Sequence, residues 1–188
     1  MPNNGHGMDI MGAMPVVDVL TSLRMNRDFM AQVIAWERIP ARPAISEPLP
    51  GYMSAHLVRA LQSREIQQLY RHQALAINAA AAGDNVVVST ATASGKSLCY
   101  TIPVLERLLV EPAARALYLF PTKALAHDQL SETNTLIAAA DMPIEVQSYD
   151  GDTPQSQRQR IRQSSGILIT NPDMLHAGIL PQHTAWRR

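Results

Sequence analysis

A chain of 188 residues, 46% hydrophobic and 17% charged, is long enough for a domain with a sizeable core and has the balance of a globular rather than a disordered polypeptide. Its formal net charge of zero excludes binding driven by a basic field around the whole molecule, so any anion must be held by locally placed groups. One cysteine, Cys99, excludes an internal disulfide framework, and the lack of a signal peptide or a long apolar run points to a cytoplasmic protein with no membrane partner.

In chain order, Val19, Leu20, Leu23, Phe29, Met30, Val33 and Ile34 recur at helical spacing with a break near Asn26, which predicts a helical N-terminal extension. Pro40, Pro43, Pro48 and Pro50 follow, so residues 1–50 read as extension plus an extended linker, and residues 51–188 as a separate domain. A helix carrying Leu57 and Leu61 comes next, then an alanine-rich helix from Arg71 to Ala82 that Gly83 ends. Asn85 to Ser89 reads as a buried strand. "ALYLF" (116–120), "IEVQSY" (144–149) and "GILIT" (166–170) read as further strands, each followed by a helix. Thr122 caps the helix from Lys123, Thr153 with Pro154 starts another, and Asn171 with Pro172 a third. Alternating strands and helices predict an α/β fold with a parallel sheet flanked by helices.

The chemistry concentrates after the first of these strands. "STATASGKS" (89–97) is a loop of small residues leading into a helix, a geometry that turns backbone N–H groups and the positive end of a helix dipole towards one point. Such a point favours polyphosphate: Lys96 reaches the outer phosphates, Ser97 offers its hydroxyl to a nucleotide-borne Mg²⁺, and the backbone of Thr92, Ala93, Ser94 and Gly95 holds the rest. Gly-Lys-Ser alone is equally compatible with a plain strand-to-helix turn whose lysine is solvated. Two further features favour the phosphate reading. Of 16 basic residues 14 are Arg, so Lys96 and Lys123 are the only lysines. Lys123 likewise follows a strand end, directly after a capping Thr122, where a second anion can sit.

Together "LYRHQ" (69–73), "STATASGKSLCYTIPVL" (89–105), "PTKALAHDQL" (121–130) and "TNPDMLH" (170–176) resemble the adenine-reading motif and motifs I, Ia and Ib of superfamily 2 helicases of the DEAD/DEAH-box type. The resemblance runs from about Pro40 to Leu175. It is strongest to the RecQ-related branch of DNA-repair helicases that includes the mitomycin-repair factor group, which also carries a turn like "YDGDTP" (149–154). The departure is Ala91, where that branch has Gly. The resemblance implies a RecA-like P-loop NTPase domain using ATP and Mg²⁺, with single-stranded nucleic acid, DNA above all, as partner. Gln73 would read adenine through one donor and one acceptor, and Tyr70 or Arg71 would stack on the base unless Tyr70 belongs to the core. Lys96 and Ser97 would serve the phosphates and metal. Thr122, Lys123 and Thr170 would contact strand phosphates.

The family also requires an Asp-Glu box and an arginine finger from a second RecA-like domain. Neither string occurs before Arg188, which leads us to expect an incomplete first RecA-like domain, inactive in hydrolysis and marginally stable by itself. The alternatives are a non-catalytic nucleic-acid-binding or regulatory module, or a P-loop NTPase unrelated to helicases.

Overall fold

A computed structural model describes residues 15–40 and 43–186. Contacts divide the chain into two units, Met1–Pro43 and Ala44–Arg188. In the first, helix α1 (Val16–Met25) ends at Asn26, whose backbone turns extended and whose side-chain oxygen accepts from Phe29 N–H at 2.9 Å. That bond caps α2 (Arg27–Met30), so the predicted break is a cap shared by two helices. Arg24 covers the Trp36 ring at 4.6 Å.

The second unit opens with β1 (Ser46–Pro48), which pairs antiparallel with β2 (Gln68–Tyr70), Glu47 opposite Leu69. Part of the proline-rich linker is therefore a strand; Pro48 is tolerated because it lies at an edge. Between the strands, α3 (Ala55–Ser63) turns Leu57, Ala60 and Leu61 inward at i, i+3, i+4 spacing, and all three are fully buried. Helix α4 (Arg71–Ala81) follows β2 without a break and stops at Gly83, whose φ of +90° is the left-handed exit expected there.

Three parallel strands form the main sheet: β3 (Ala116–Leu119), β4 (Val146–Ser148) and β5 (Ile167–Thr170), in the order β3-β5-β4. Leu168 faces Leu117 on one side and Gln147 on the other. All four residues of β5 are buried, as the unbroken apolar run "ILIT" requires of a central parallel strand. Ile167 and Ile169 enter the main core with Leu105, Leu136 and Val146, whereas Leu168 joins a smaller cluster with Tyr149, Ile161 and Ile179. The flanking helices are α5 (Ser97–Val110), α6 (Lys123–Ala139), α7 (Gln155–Ser164) and α8 (Pro172–Met174), the last followed by a π turn and a 3-10 turn. Helix α5 runs on through Pro103.

Two expectations are corrected. Residues 85–89 form no strand, and Val87 is 95% exposed. A β-branched apolar run becomes a strand only when neighbours accept its backbone hydrogen bonds, and no strand among the described residues lies beside this one. Thr153 does not cap α7: Pro154 holds the cap position, and the Thr153 hydroxyl accepts from Asp150 N–H at 2.9 Å. Here a local turn outcompetes the helix for the same side chain.

Truncating Ile169 to Ala in the middle of the central strand should lower unfolding free energy by about 2–5 kcal/mol through lost burial and a residual cavity. Ile34→Ala, at a fully exposed residue, should stay within about 0.5 kcal/mol. Urea denaturation of the two variants checks the contrast.

Candidate functional site

The loop between Ser89 and α5 is a compact turn. Ala93 and Gly95 both take left-handed backbone, with φ of 57° and 73°. Gly95 needs to be glycine twice over, for its positive φ and because a Cβ there would come within 2.5 Å of Gln73 Nε2. Ala93 holds the same region at a steric cost of about 1–2 kcal/mol, strain kept by the contacts around it.

Those contacts come from two sides. The Lys96 ammonium folds back over the loop, donating to Ala91 O at 2.6 Å and Thr90 O at 3.1 Å, with Ser94 Oγ at 3.5 Å. The Thr90 and Ser94 hydroxyls are hydrogen-bonded to each other at 2.6 Å. From α4, Gln73 Nε2 donates to Gly95 O at 2.8 Å while its Oε1 accepts from Tyr70 N–H at 2.8 Å. A nitrogen of the His72 ring lies 3.0 Å from Ser94 O, and the ring stacks on Tyr70 with centroids 5.9 Å apart. Gln73 is buried, whereas Tyr70 is 47% exposed, so the core position belongs to Leu69 instead. Arg71 is exposed and points to Glu47 at 3.9 Å. A cleft of about 670 Å³ opens beside Tyr70, Gln73 and Gly95, walled by Ile66, Gln68 and Leu98.

The other face of the loop borders a second cleft, of about 410 Å³, with Lys96 and Ser97 on one wall and Phe120, Leu125 and Gln129 on another. Cys99 is buried behind the loop, and that burial pushes its thiol above the usual range, which keeps it protonated and inert. Among the described residues no group of three His, Cys, Asp or Glu side chains converges as a metal site, so the Ser97 hydroxyl could ligate a cation only together with groups carried by a ligand.

At the start of α6 the Thr122 hydroxyl accepts from Leu125 N–H at 3.3 Å, the expected cap. Lys123 is not free: its Nζ donates to Asp152 Oδ2 at 2.5 Å. That hydrogen bond raises the lysine above its ordinary pKa and holds the Asp152 carboxyl below its own, so the pair stays ionised between those limits. It is lost as pH falls through the lowered carboxyl value. Thr170 lies elsewhere than expected. Its side chain is buried in β5 and donates to Tyr149 O at 2.5 Å, bracing the base of the turn that carries Asp152 rather than facing solvent. Of the residues singled out from sequence, the structure thus gathers Gln73, Thr92, Ala93, Ser94, Gly95, Lys96 and Ser97 around one loop, and sets Thr122 and Lys123 together at a second place. Sequence reading passed over His72 and Asp152. Each lies within a quoted string, but nothing in residue type or spacing reveals a ring that props a loop carbonyl or a carboxylate that meets a lysine 29 positions away.

An α/β domain with a parallel sheet and a left-handed, lysine-covered loop before a helix is of the RecA-like P-loop class. DEAD-box helicase Mss116 bound to ssRNA and UDP-BeF shares this fold at 19% identity, with a TM-score of 0.59 over 68% of this chain and 28% of that one. Residues 70–188 match the DEAD/DEAH box helicase family, and the chain belongs to it. The uncharacterized ATP-dependent helicase YprA of Bacillus subtilis is 43% identical over 171 residues, which cover 91% of this chain and 22% of that protein. ATP-dependent helicase hrq1 of Schizosaccharomyces pombe is 40% identical over 181 residues, 93% of this chain and 17% of its own. A crystal structure of the DUF1998 helicase MrfA bound to DNA and AMPPNP matches with a TM-score of 0.83 at 44% identity, over 90% of this chain and 23% of that one. The chain spans about a fifth of the length of these relatives.

Gly95→Ala should destabilise the domain by about 1–3 kcal/mol, since the added methyl meets both the strained φ and the Gln73 amide. Gly51→Ala, with open space around the new Cβ, should be near neutral. Thermal or denaturant unfolding of both variants distinguishes a tightly packed loop from a permissive one.

Proposed function

We propose that this chain is the nucleotide-binding part of an ATP-dependent helicase or translocase acting on DNA, with a portion of its strand-binding surface. One observation carries the reading: left-handed backbone at Ala93 and Gly95, closed by the Lys96 ammonium on loop carbonyls, in front of a 14-residue helix. A lysine folded onto neutral carbonyls exchanges readily for phosphate oxygens, which offer it a full negative charge. The resemblance to YprA, hrq1 and the DNA- and AMPPNP-bound MrfA supports ATP and DNA over other ligands.

In this reading the backbone of Thr92, Ala93, Ser94 and Gly95 cradles the phosphates and Lys96 stabilises the charge that grows on them as the terminal bond breaks. Mg²⁺ arriving with the nucleotide would be held by the Ser97 hydroxyl and would neutralise phosphate charge. Gln73 reads the base: each end of its amide has one hydrogen-bonding position left beyond the Tyr70 and Gly95 contacts, one donor and one acceptor, which suits adenine and not guanine. Tyr70, exposed beside the cleft, offers a stacking face. Because Gln73 also bonds Gly95 O, base occupancy and loop shape are coupled through one side chain. Thr122 and Lys123 contact phosphates of a single strand without regard to sequence, and Thr170 serves that surface by holding the neighbouring turn.

Binding of ATP and GTP to the parent sequence, Lys96→Ala and Gln73→Ala tests this. Lys96→Ala should weaken ATP by about 100-fold, the loss of a charge-assisted contact at about 1.4 kcal/mol per decade. Gln73→Ala should bring the ATP and GTP affinities together. Equal affinity for the two nucleotides in the parent sequence would remove adenine reading by Gln73, and ATP binding untouched by Lys96→Ala would remove the phosphate site.

A further inference from the structure

The second lysine of the chain is occupied by the protein itself. Lys123 opens α6, and its ammonium meets Asp152, which lies in the turn between β4 and α7. This turn is built, not loose. The buried Asp150 carboxylate accepts the Asp152 N–H at 2.9 Å and a bond from Ser148 Oγ at 3.3 Å, and Asp150 N–H donates to Thr153 Oγ1. Behind it, Thr170 Oγ1 holds Tyr149 O and Tyr149 N–H bonds Ile169 O, tying the turn to the central strand. Asp152 is therefore presented to Lys123 by the backbone, while both side chains remain open to solvent, at 53% exposure for the lysine and 77% for the aspartate.

We propose that Asp152 is a built-in counter-anion standing where a strand phosphate binds on Lys123, so that nucleic acid engages this surface by displacing a carboxylate. The inference rests on the reading of Lys123 as a strand contact. An exposed carboxylate and a phosphate oxygen satisfy the same ammonium donors, and the displaced Asp152 can return to water without burying a charge. Lysine suits such an exchange better than arginine, because a rotatable ammonium gives up one acceptor for another without breaking a bidentate fork. The other titratable groups near the pair are Asp150, whose carboxylate is held within its own turn, and His127, one helical turn along α6 from Lys123. The consequence is selectivity by avidity: a single small anion competes poorly with a tethered carboxylate, whereas a strand bringing several phosphates at once does not.

Anisotropy with a labelled single-stranded DNA oligonucleotide, across a salt series and on the chain in its full natural length, tests this with Asp152→Asn, Lys123→Ala and the double variant. Asp152→Asn should tighten binding about three- to tenfold at low salt, the gap closing as salt screens the exposed charges. Lys123→Ala should weaken binding, and in that background Asp152→Asn should change it less than about twofold, because coupled neighbours are not additive. Asp152→Glu, which keeps the charge, should stay close to the parent. If Lys123→Ala weakens binding but Asp152→Asn leaves it unchanged or weaker, the counter-anion role falls while the strand contact stands. If Asp152→Asn tightens binding equally in both backgrounds, the effect is general repulsion and the proposal is overturned. No change with Lys123→Ala removes the strand contact itself.

Discussion

Two residues of left-handed backbone, Ala93 and Gly95, set the shape of the loop that leads into α5. Turning the chain that way aims loop carbonyls at the Lys96 ammonium on one side and at Gln73 and His72 on the other. Neither set of contacts would hold if the loop ran on as an extended strand or as another turn of α5. An L-residue in this region is strained, and strain persists only where neighbours over-determine it. Ala93 is thus evidence of how firmly its surroundings hold it.

The two clefts on either side of the loop share this support. Gln73 belongs to α4 and Lys96 to the start of α5, and these helices pack closely on each other. Gln73 and Lys96 are therefore carried by adjoining elements, with the buried Gln73 amide joining α4 to the loop before α5. Pre-positioning of this kind lowers the ordering cost when a charged ligand arrives. Across the sheet, the same economy of parts links the central strand to the surface: Thr170 in β5 braces Tyr149, Tyr149 leads into Asp150, and Asp150 sets the position of Asp152. A buried hydroxyl and an exposed ion pair belong to one hydrogen-bonded train.

The proposed anion contacts rest on charge placement, not charge amount. Net charge is zero, yet both lysines sit at helix starts beside loops. The arginines of α7 have partners within the fold: Arg158 donates to Thr153 O and covers the Tyr149 ring, Arg160 lies 3.8 Å from the Glu145 carboxylate, and Arg162 covers Trp186. They pack against rings and pair with nearby oxygens.

Periodicity and punctuation in the sequence determined the local elements. Apolar alternation and runs located β3, β4, β5 and the helices between them, Thr122 and Asn171 marked caps that their side chains make, a break in spacing marked Asn26, and the Gly-Lys-Ser string placed the loop. These are short-range matters, decided within a few residues by rotamers, hydrogen-bond geometry and the steric freedom of glycine. Tertiary structure alone decided whatever depends on a distant partner. The run 85–89 is no strand because a ladder needs neighbours, Thr170 is buried because β5 became the central strand, and Lys123 is paired because a turn 29 residues on delivers Asp152 to it. Pairing, burial and the company a charge keeps are properties of the assembled fold, and a linear pattern carries no record of which remote residue will supply them.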